Sequence, residues 1–302
     1  MSRASKRRGP IGRVVNVASV PHRSPFRYPG GKTWLVPRIR QWLTYRTPRP
    51  STLAEPFAGG AIVGLSALFE GLVDTLTLVE RDENVSSVWQ VILNGEAEQL
   101  IERIKSFEIT ESAVRQLLSV GPTNLLDRAF VTLVRNRVQR GGIMAPGASL
   151  MKEGEKGRGI ASRWYVQTLC KRIAAIAERK ARITFIQGDG IQFIRNNAHR
   201  PDLFFFIDPP YTLAGRRLYL YSEIDHEELF CVAAQVKGDF LMTYDNAGPV
   251  RQLAHRFGFD ICEVAMKSTH HAVMSELLIG RDLTWVRRMS RQRPRCWPSH
   301  EL

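Results

Sequence analysis

No run of apolar residues in this 302-residue chain approaches the roughly 18 to 20 that a membrane-spanning helix requires, so no membrane partner is expected. The four cysteines, Cys170, Cys231, Cys262 and Cys296, stand far apart and form no CxxC pair. That argues for a reducing compartment and against a zinc site or a disulfide framework. Histidines cluster only at His270-His271, with nothing nearby to complete a ligand set, so no metal is expected. The GxGxxG fingerprint of nicotinamide enzymes is missing. Gly31-Lys32-Thr33 suggests a phosphate-binding P-loop, but that motif needs a glycine where Phe26 stands and a strand before it, which excludes a nucleoside triphosphatase of that kind. Acids are scarce: 29 Asp and Glu face 43 Lys and Arg, a net charge of +14. Such an excess favours a polyanionic partner, because every phosphate neutralised releases condensed counterions. Met1 to Arg13 is basic and lacks the apolar core of a secretory signal, so the chain reads as cytoplasmic.

What is present is a sizeable core, with 44% hydrophobic residues, and a strand–helix rhythm. Residues 1–24 carry Arg3, Lys6, Arg7, Arg8, Arg13 and Arg23 without an acid and read as a flexible basic arm. Residues 286–302 form a similar basic tail. Between them, strands are expected at Ser51–Phe57, Thr75–Glu80, Ile183–Gln187, Leu203–Ile207, Phe240–Tyr244, Ile261–Ala265 and Glu276–Ile279. Helices are expected at Ala61–Glu70, Asn84–Leu93, His226–Val236 and Val250–Phe257. This alternation predicts an α/β fold with a doubly wound, mainly parallel sheet, contributed by residues 25–94 and 183–285. Residues 95–182 break the rhythm with helical spacing at Leu100–Phe107, Ser112–Leu118, Asp127–Arg137 and Tyr165–Glu178, which reads as a helical insertion.

The most informative segment is Asp208-Pro209-Pro210-Tyr211, directly after the apolar run Leu203–Ile207. Five apolar residues in a row suit a strand buried on both faces of a parallel sheet. The two prolines end it, since they donate no backbone hydrogen bond and fix φ. They make a stiff elbow beyond the strand's carboxyl end, where open α/β sheets bind their ligands. An acid and an aromatic ring presented together there suit a flat, nitrogen-bearing substrate. The ring stacks while Asp208 and the Pro209 carbonyl accept from an amino group. A strand-ending turn with a surface tyrosine is the other reading.

Glu55-Pro56-Phe57-Ala58-Gly59-Gly60 lies where the first strand turns into a helix. Glycines let the backbone approach a ligand, and a helix amino terminus favours a negative group, such as a pyrophosphate or the carboxylate of an amino-acid-like cofactor. Glu80 ends the second strand, a usual place for an acid that accepts from ribose hydroxyls, or it is an exposed acid beside Arg81. Asp189 holds the matching position on the third strand and suits an adenine amine; a turn aspartate within Gly188-Asp189-Gly190 is the alternative.

Together with Tyr28-Pro29-Gly30-Gly31-Lys32, Asp225-His226, Phe240–Tyr244 and Glu276-Leu277-Leu278-Ile279, these segments occur in an order that resembles the Dam-like DNA adenine-N6 methyltransferases in their α arrangement. The resemblance spans roughly residues 25–285 and implies a Rossmann-like methyltransferase fold in which residues 95–182 form the target-recognition insertion. It implies S-adenosylmethionine as cofactor, held by Tyr28, Lys32, Glu55, Phe57, Gly59, Gly60, Glu80, Asp189 and Asp208. It further implies catalysis on a flipped-out adenine by Asp208, Pro209, Pro210 and Tyr211. Arg135, Arg137, Arg140, Lys152, Lys156, Arg158 and Arg163 would hold double-stranded DNA, with the protein a monomer or weak dimer. The family has a glycine where Ala61 stands, and Asn136-Arg137 followed by Arg140-Gly141-Gly142 follows its pattern only loosely, so no target sequence transfers. Methylation of an RNA base, or a DNA-binding homologue without turnover, are the competing expectations.

Overall fold

The computed structural model describes residues 19–27, 31–142, 149–152, 157–210, 224–267 and 273–289. Tyr28, Lys156 and Tyr211 lie outside them. The strands are β1 Thr52–Glu55, β2 Thr75–Glu80, β3 Ile183–Gln187, β4 Leu203–Ile207, β5 Phe240–Asp245, β6 Asp260–Lys267 and β7 Val273–Gly280. They form one sheet in the order β3-β2-β1-β4-β5-β7-β6. β1 to β5 pair in parallel, and β7 runs antiparallel between β5 and β6. The strand order reverses between β1 and β4, the place where a doubly wound sheet opens a crevice at its carboxyl edge.

β4 shows why the sheet is covered on both faces. All five of its residues are buried. Phe204 and Phe206 join one apolar cluster, and Leu203, Phe205 and Ile207 the other, as the two-residue period of a strand demands. The first cluster takes apolar residues of α1 (Val36–Tyr45), α2 (Ile62–Phe69) and α3 (Glu83–Leu93). It also takes in α4 (Ala97–Ser106), α5 (Glu111–Val120), α6 (Leu125–Val138) and α7 (Val166–Ala177). The second is closed by α8 (Gly190–Asn197), α9 (His226–Gln235) and α10 (Gly248–Arg256). The result is a Rossmann-like α/β sandwich. Leu100, Ile104, Leu133 and Ile173 of the inserted helices share their cluster with Val88 and Trp89 of α3, so the insertion rests on the sheet's own helical layer.

Local chemistry explains most element ends. Pro56 stops β1 at Glu55, two residues short of the expected Phe57. Asp82, Asp189 and Asp225 cap α3, α8 and α9 by accepting backbone amides of the first helical turn. Three helices were not anticipated: α1, α8 and α11 (Thr284–Met289). α1 nonetheless buries Val36, Ile39, Trp42 and Leu43 at spacings of three and four, with Trp42 Nε1 donating to Asp239 at 2.8 Å. Leu283, Trp285 and Val286 are buried, so residues 286–289, expected in the basic tail, belong to a packed helix. Val20 and Ser24 are likewise buried at the described end of the amino-terminal arm.

Ala61, at the amino end of α2, adopts φ 49° and ψ 34°, the left-handed region. A Cβ there costs about 1–2 kcal/mol, which glycine avoids at some expense in unfolded-chain entropy. Ala61→Gly should therefore raise the denaturant midpoint by the equivalent of about 1 kcal/mol at unchanged m. An unchanged midpoint would refute strain at this turn.

Candidate active site

Glu55 ends β1 and Asp208 follows β4, so the two acids flank the reversal point of the sheet. Lys32, in a single 3-10 turn before α1, lies between them and the far strand: its Nζ is 3.0 Å from Asp208 Oδ1 and 3.8 Å from Glu276 Oε1 of β7. Asp208 Oδ1 also accepts from Thr243 Oγ1 of β5 at 2.6 Å. Lys32 is 3% exposed and Asp208 24%, so the ammonium is sealed from solvent while the carboxylate remains partly exposed. Burial works against the Lys32 charge, but Asp208 and Glu276 outweigh it and hold its pKa above the ordinary lysine value. The ammonium is therefore a permanent partner of Asp208 across the physiological range.

Glu55 is 4% exposed and accepts a hydrogen bond from the Gly64 amide of α2. A Cβ on Gly64 would collide with this carboxylate and with Leu76, so only glycine lets the helix come so close. Burial, with a smaller contribution from the Asp208 charge, pushes the Glu55 carboxyl up to about 8. At neutral pH this acid is mostly protonated, and no cation among the described residues pairs with it.

The glycine turn is pinned from several sides. Ala58 N donates to Val79 O at 2.9 Å, Gly59 N to Glu80 Oε2 at 2.8 Å, and Trp89 Nε1 to Gly59 O at 3.0 Å. Glu80 Oε1 accepts from the amides of Arg81 and Asp82 at 2.8 and 2.9 Å. Burial raises the Glu80 pKa, while those amides favour its charged form. Each carboxylate oxygen carries two lone pairs, so Oε2 keeps an acceptor position besides its bond to Gly59. Asp189, half exposed, accepts from Gln192 N at 2.9 Å and lies 3.9 Å from Arg81. The neighbouring Gly190 backs onto the Pro56 carbonyl and the half-buried Phe57 ring, where no side chain would fit. Phe57, Gly59, Gly60, Glu80 and Asp189 thus line one carboxyl edge, with Asp208 and the buried Pro209 and half-buried Pro210 at its end.

The basic residues expected on the insertion are distributed differently. Arg140, Lys152 and Arg158 are exposed, Arg135 and Arg163 are half-buried, and Arg137 is buried at 4%. Asn136 is fully buried and braces the insertion to the amino-terminal segment. Its Oδ1 accepts from Arg27 N at 2.9 Å, and its Nδ2 donates to the carbonyls of Arg27 and Gly142 at 3.0 and 3.1 Å.

Sequence reasoning assigned no part to Gly64 or Trp89, and none to Thr243, Asn136 or Glu276 beyond their places in segments compared with the family. Two signals were available: Thr243 is the one polar residue in the apolar run Phe240–Tyr244, and Gly64 interrupts an apolar helix. Among the described residues, no group of His, Cys, Asp and Glu could hold a metal ion, and no helix is long and apolar enough to cross a membrane.

Residues 28–116 match the family model of the D12 class N6 adenine-specific DNA methyltransferases. No curated protein matches the chain. Among solved structures, the rRNA methyltransferase aviRa of Streptomyces viridochromogenes is 13% identical, covering 84% of this chain and 86% of its own, with a TM-score of 0.37. Precorrin-6y C5,15-methyltransferase of Geobacter metallireducens is 10% identical over 82% of this chain and 85% of its own, at 0.34. M. capricolum TrmK, in complex with S-adenosyl-homocysteine, is 10% identical over 80% of this chain and 66% of its own, also at 0.34.

Proposed function

We propose, from the match of residues 28–116 to the family model of the D12 class N6 adenine-specific DNA methyltransferases, that this methyltransferase modifies the exocyclic amine of an adenine flipped out of double-stranded DNA. The observation that carries the reading is the Asp208 carboxylate. It is fixed by Lys32 and Thr243, yet partly open at the reversal point of the sheet.

The residues at the crevice fit S-adenosylmethionine. A buried Glu55 with its pKa near 8 suits the ammonium of an amino-acid end, which would let the carboxyl ionise. Glu80 Oε2 keeps an acceptor for a ribose hydroxyl, and the half-exposed Asp189 one for an adenine amine. Gly59 and Gly60 put no side chain between the backbone of that edge and a ligand. When bound, the cofactor supplies an electrophilic methyl group on a sulfonium.

The chain's own part is to position and polarise. A target amine is inaccessible within the base stack, so the base must leave the duplex. Tyr211 would then stack on it, a contact worth roughly 1–3 kcal/mol. Asp208 and the Pro209 carbonyl would accept from the amine and turn its lone pair out of conjugation with the ring. Lys32 holds Asp208 in place, so the acceptor needs no reorganisation during reaction. Thr243→Val removes an anchor of that carboxylate and should lower kcat about tenfold with little change in cofactor affinity, as expected of a positioning group. An unaltered kcat would remove Thr243 from the machinery.

Tritium transfer from labelled cofactor to duplex DNA, compared with ribosomal RNA, tests the substrate. Methylation-aware sequencing of DNA from cells expressing the protein then reports base and context. Label in RNA alone would overturn the DNA reading. Cofactor binding without transfer to either would favour a homologue that binds and does not turn over.

A further inference from the structure

Three arginines gather where the insertion grips the amino-terminal segment. Arg172 Nη1 of α7 donates to the Ser24 carbonyl at 3.3 Å, and Arg137 Nη2 of α6 to the adjacent Pro25 carbonyl at 2.6 Å. Arg27, two residues on, is tied through its backbone to Asn136, the residue before Arg137. Arg137 is 4% exposed, and its buried Nε has no hydrogen-bond partner. Among the described residues no carboxylate pairs with Arg137 or Arg172. Elsewhere in the same insertion arginines are matched with acids: Arg103 with Asp127, Arg115 with Glu111 and Arg128 with Glu83. Burial, reinforced by the charges of Arg172, Arg27 and Arg163, drives the Arg137 guanidinium down to about 9. Arg172 is lowered by burial and by Arg27.

A buried guanidinium among like charges is costly unless an anion completes the site, and guanidinium forks match phosphate oxygens. Arg172 and Arg27 are only half-buried, so the cluster is reachable from solvent.

We infer that Arg27, Arg137 and Arg172 form a phosphate-binding site at the junction of the inserted helices and the segment leading to Lys32, and that it takes a backbone phosphate of the nucleic-acid substrate. This rests on the reading that the chain acts on a polynucleotide. A phosphate bound here would neutralise the cluster and tighten the junction five residues upstream of the Lys32–Asp208 pair, linking engagement of the strand to order at the crevice.

The test uses the full chain and Arg172→Gln, with Arg172→Lys as the charge-retaining control. The melting temperature is measured in sodium phosphate and in sodium chloride at equal ionic strength. The salt dependence of binding to a duplex is measured in parallel, alongside calorimetry with S-adenosylhomocysteine. In the wild type, phosphate should raise the melting temperature by several degrees over chloride. Arg172→Gln should lose that rise and show a log K against log salt slope shallower by about one, with Arg172→Lys recovering most of both. A phosphate effect with an unchanged duplex slope would overturn the nucleic-acid assignment and leave a free-phosphate site. No phosphate effect in the wild type would overturn the site itself. Normal S-adenosylhomocysteine affinity in Arg172→Gln separates loss of this site from loss of folding. Should the wild type fail to methylate DNA while the phosphate effect and slope change persist, the methylation reading falls and the site stands.

Discussion

Asp208→Ala should lower the rate of methyl transfer by about a thousandfold or more while leaving S-adenosylhomocysteine affinity within a fewfold of wild type. The asymmetry follows from where the carboxylate sits. Its Oδ1 is held by Lys32 and Thr243 at the end of β4, while the glycine turn and Glu80 lie at the ends of β1 and β2. Removing it takes away the acceptor that polarises the amine and also takes from the buried Lys32 its carboxylate at 3.0 Å, the Glu276 carboxylate lying farther off at 3.8 Å. Breaking a buried pair from one side costs roughly 3–5 kcal/mol, so a lower melting temperature should accompany the lost activity. Asp208→Asn separates the two effects. The amide oxygen still accepts from Thr243 but no longer neutralises Lys32, so stability should fall as in the alanine variant while residual activity exceeds it. Single-turnover kinetics with labelled cofactor and a short duplex reads the rate, and calorimetry reads the binding. Wild-type turnover by Asp208→Ala would remove this carboxylate from the chemistry.

The parallel sheet was legible because its strands are short apolar runs ended by residues that cannot continue them. Leu203–Ile207 before two prolines fixes β4 without ambiguity, and Thr75–Glu80 and Ile183–Gln187 coincide with the observed strands. The inserted helices were equally plain, since Leu100, Ile104, Leu133 and Ile173 recur at helical spacing and end up in one core. The acids at strand ends were legible for the same reason: a carboxylate just past a buried strand has few structural uses. The ties between them were not. Lys32 precedes Asp208 by 176 residues of chain, the difference of 208 and 32, and Thr243 and Glu276 come from strands made neighbours only by the sheet order. Helix α8 was hidden because Gly188-Asp189-Gly190 reads as a turn, whereas Asp189 is the cap that starts a helix. Arg137 was read as a surface contact because arginine usually is one; its burial depends on α6 packing against residues 24–27, which no local pattern announces.

Glu55→Gln should produce the second large effect, in the binding of the cofactor and in the pH dependence of stability. The folded protein holds a proton on Glu55 up to about pH 8, whereas an ordinary glutamate releases it near 4.5. Between those values the unfolded chain binds fewer protons than the folded one, so wild-type stability should fall as pH rises through this window and level off above it. The integrated loss is on the order of 5 kcal/mol at most. Glutamine keeps the acceptor for Gly64 N but cannot ionise beside Asp208, so the variant should be flat over the same window and more stable than wild type at pH 8. The cost would appear on binding. An ammonium group placed against Glu55 draws the carboxyl into its charged form, so S-adenosylhomocysteine binding at pH 7 should release close to one proton in the wild type and none in Glu55→Gln, with affinity lower by about a hundredfold. Calorimetry in two buffers of different ionisation enthalpy counts that proton directly, independently of any methyl transfer. A binding enthalpy that is the same in both buffers for the wild type would mean that Glu55 faces no cation when the crevice is filled. Its raised pKa would then be a matter of core packing against α2 and not of the cofactor.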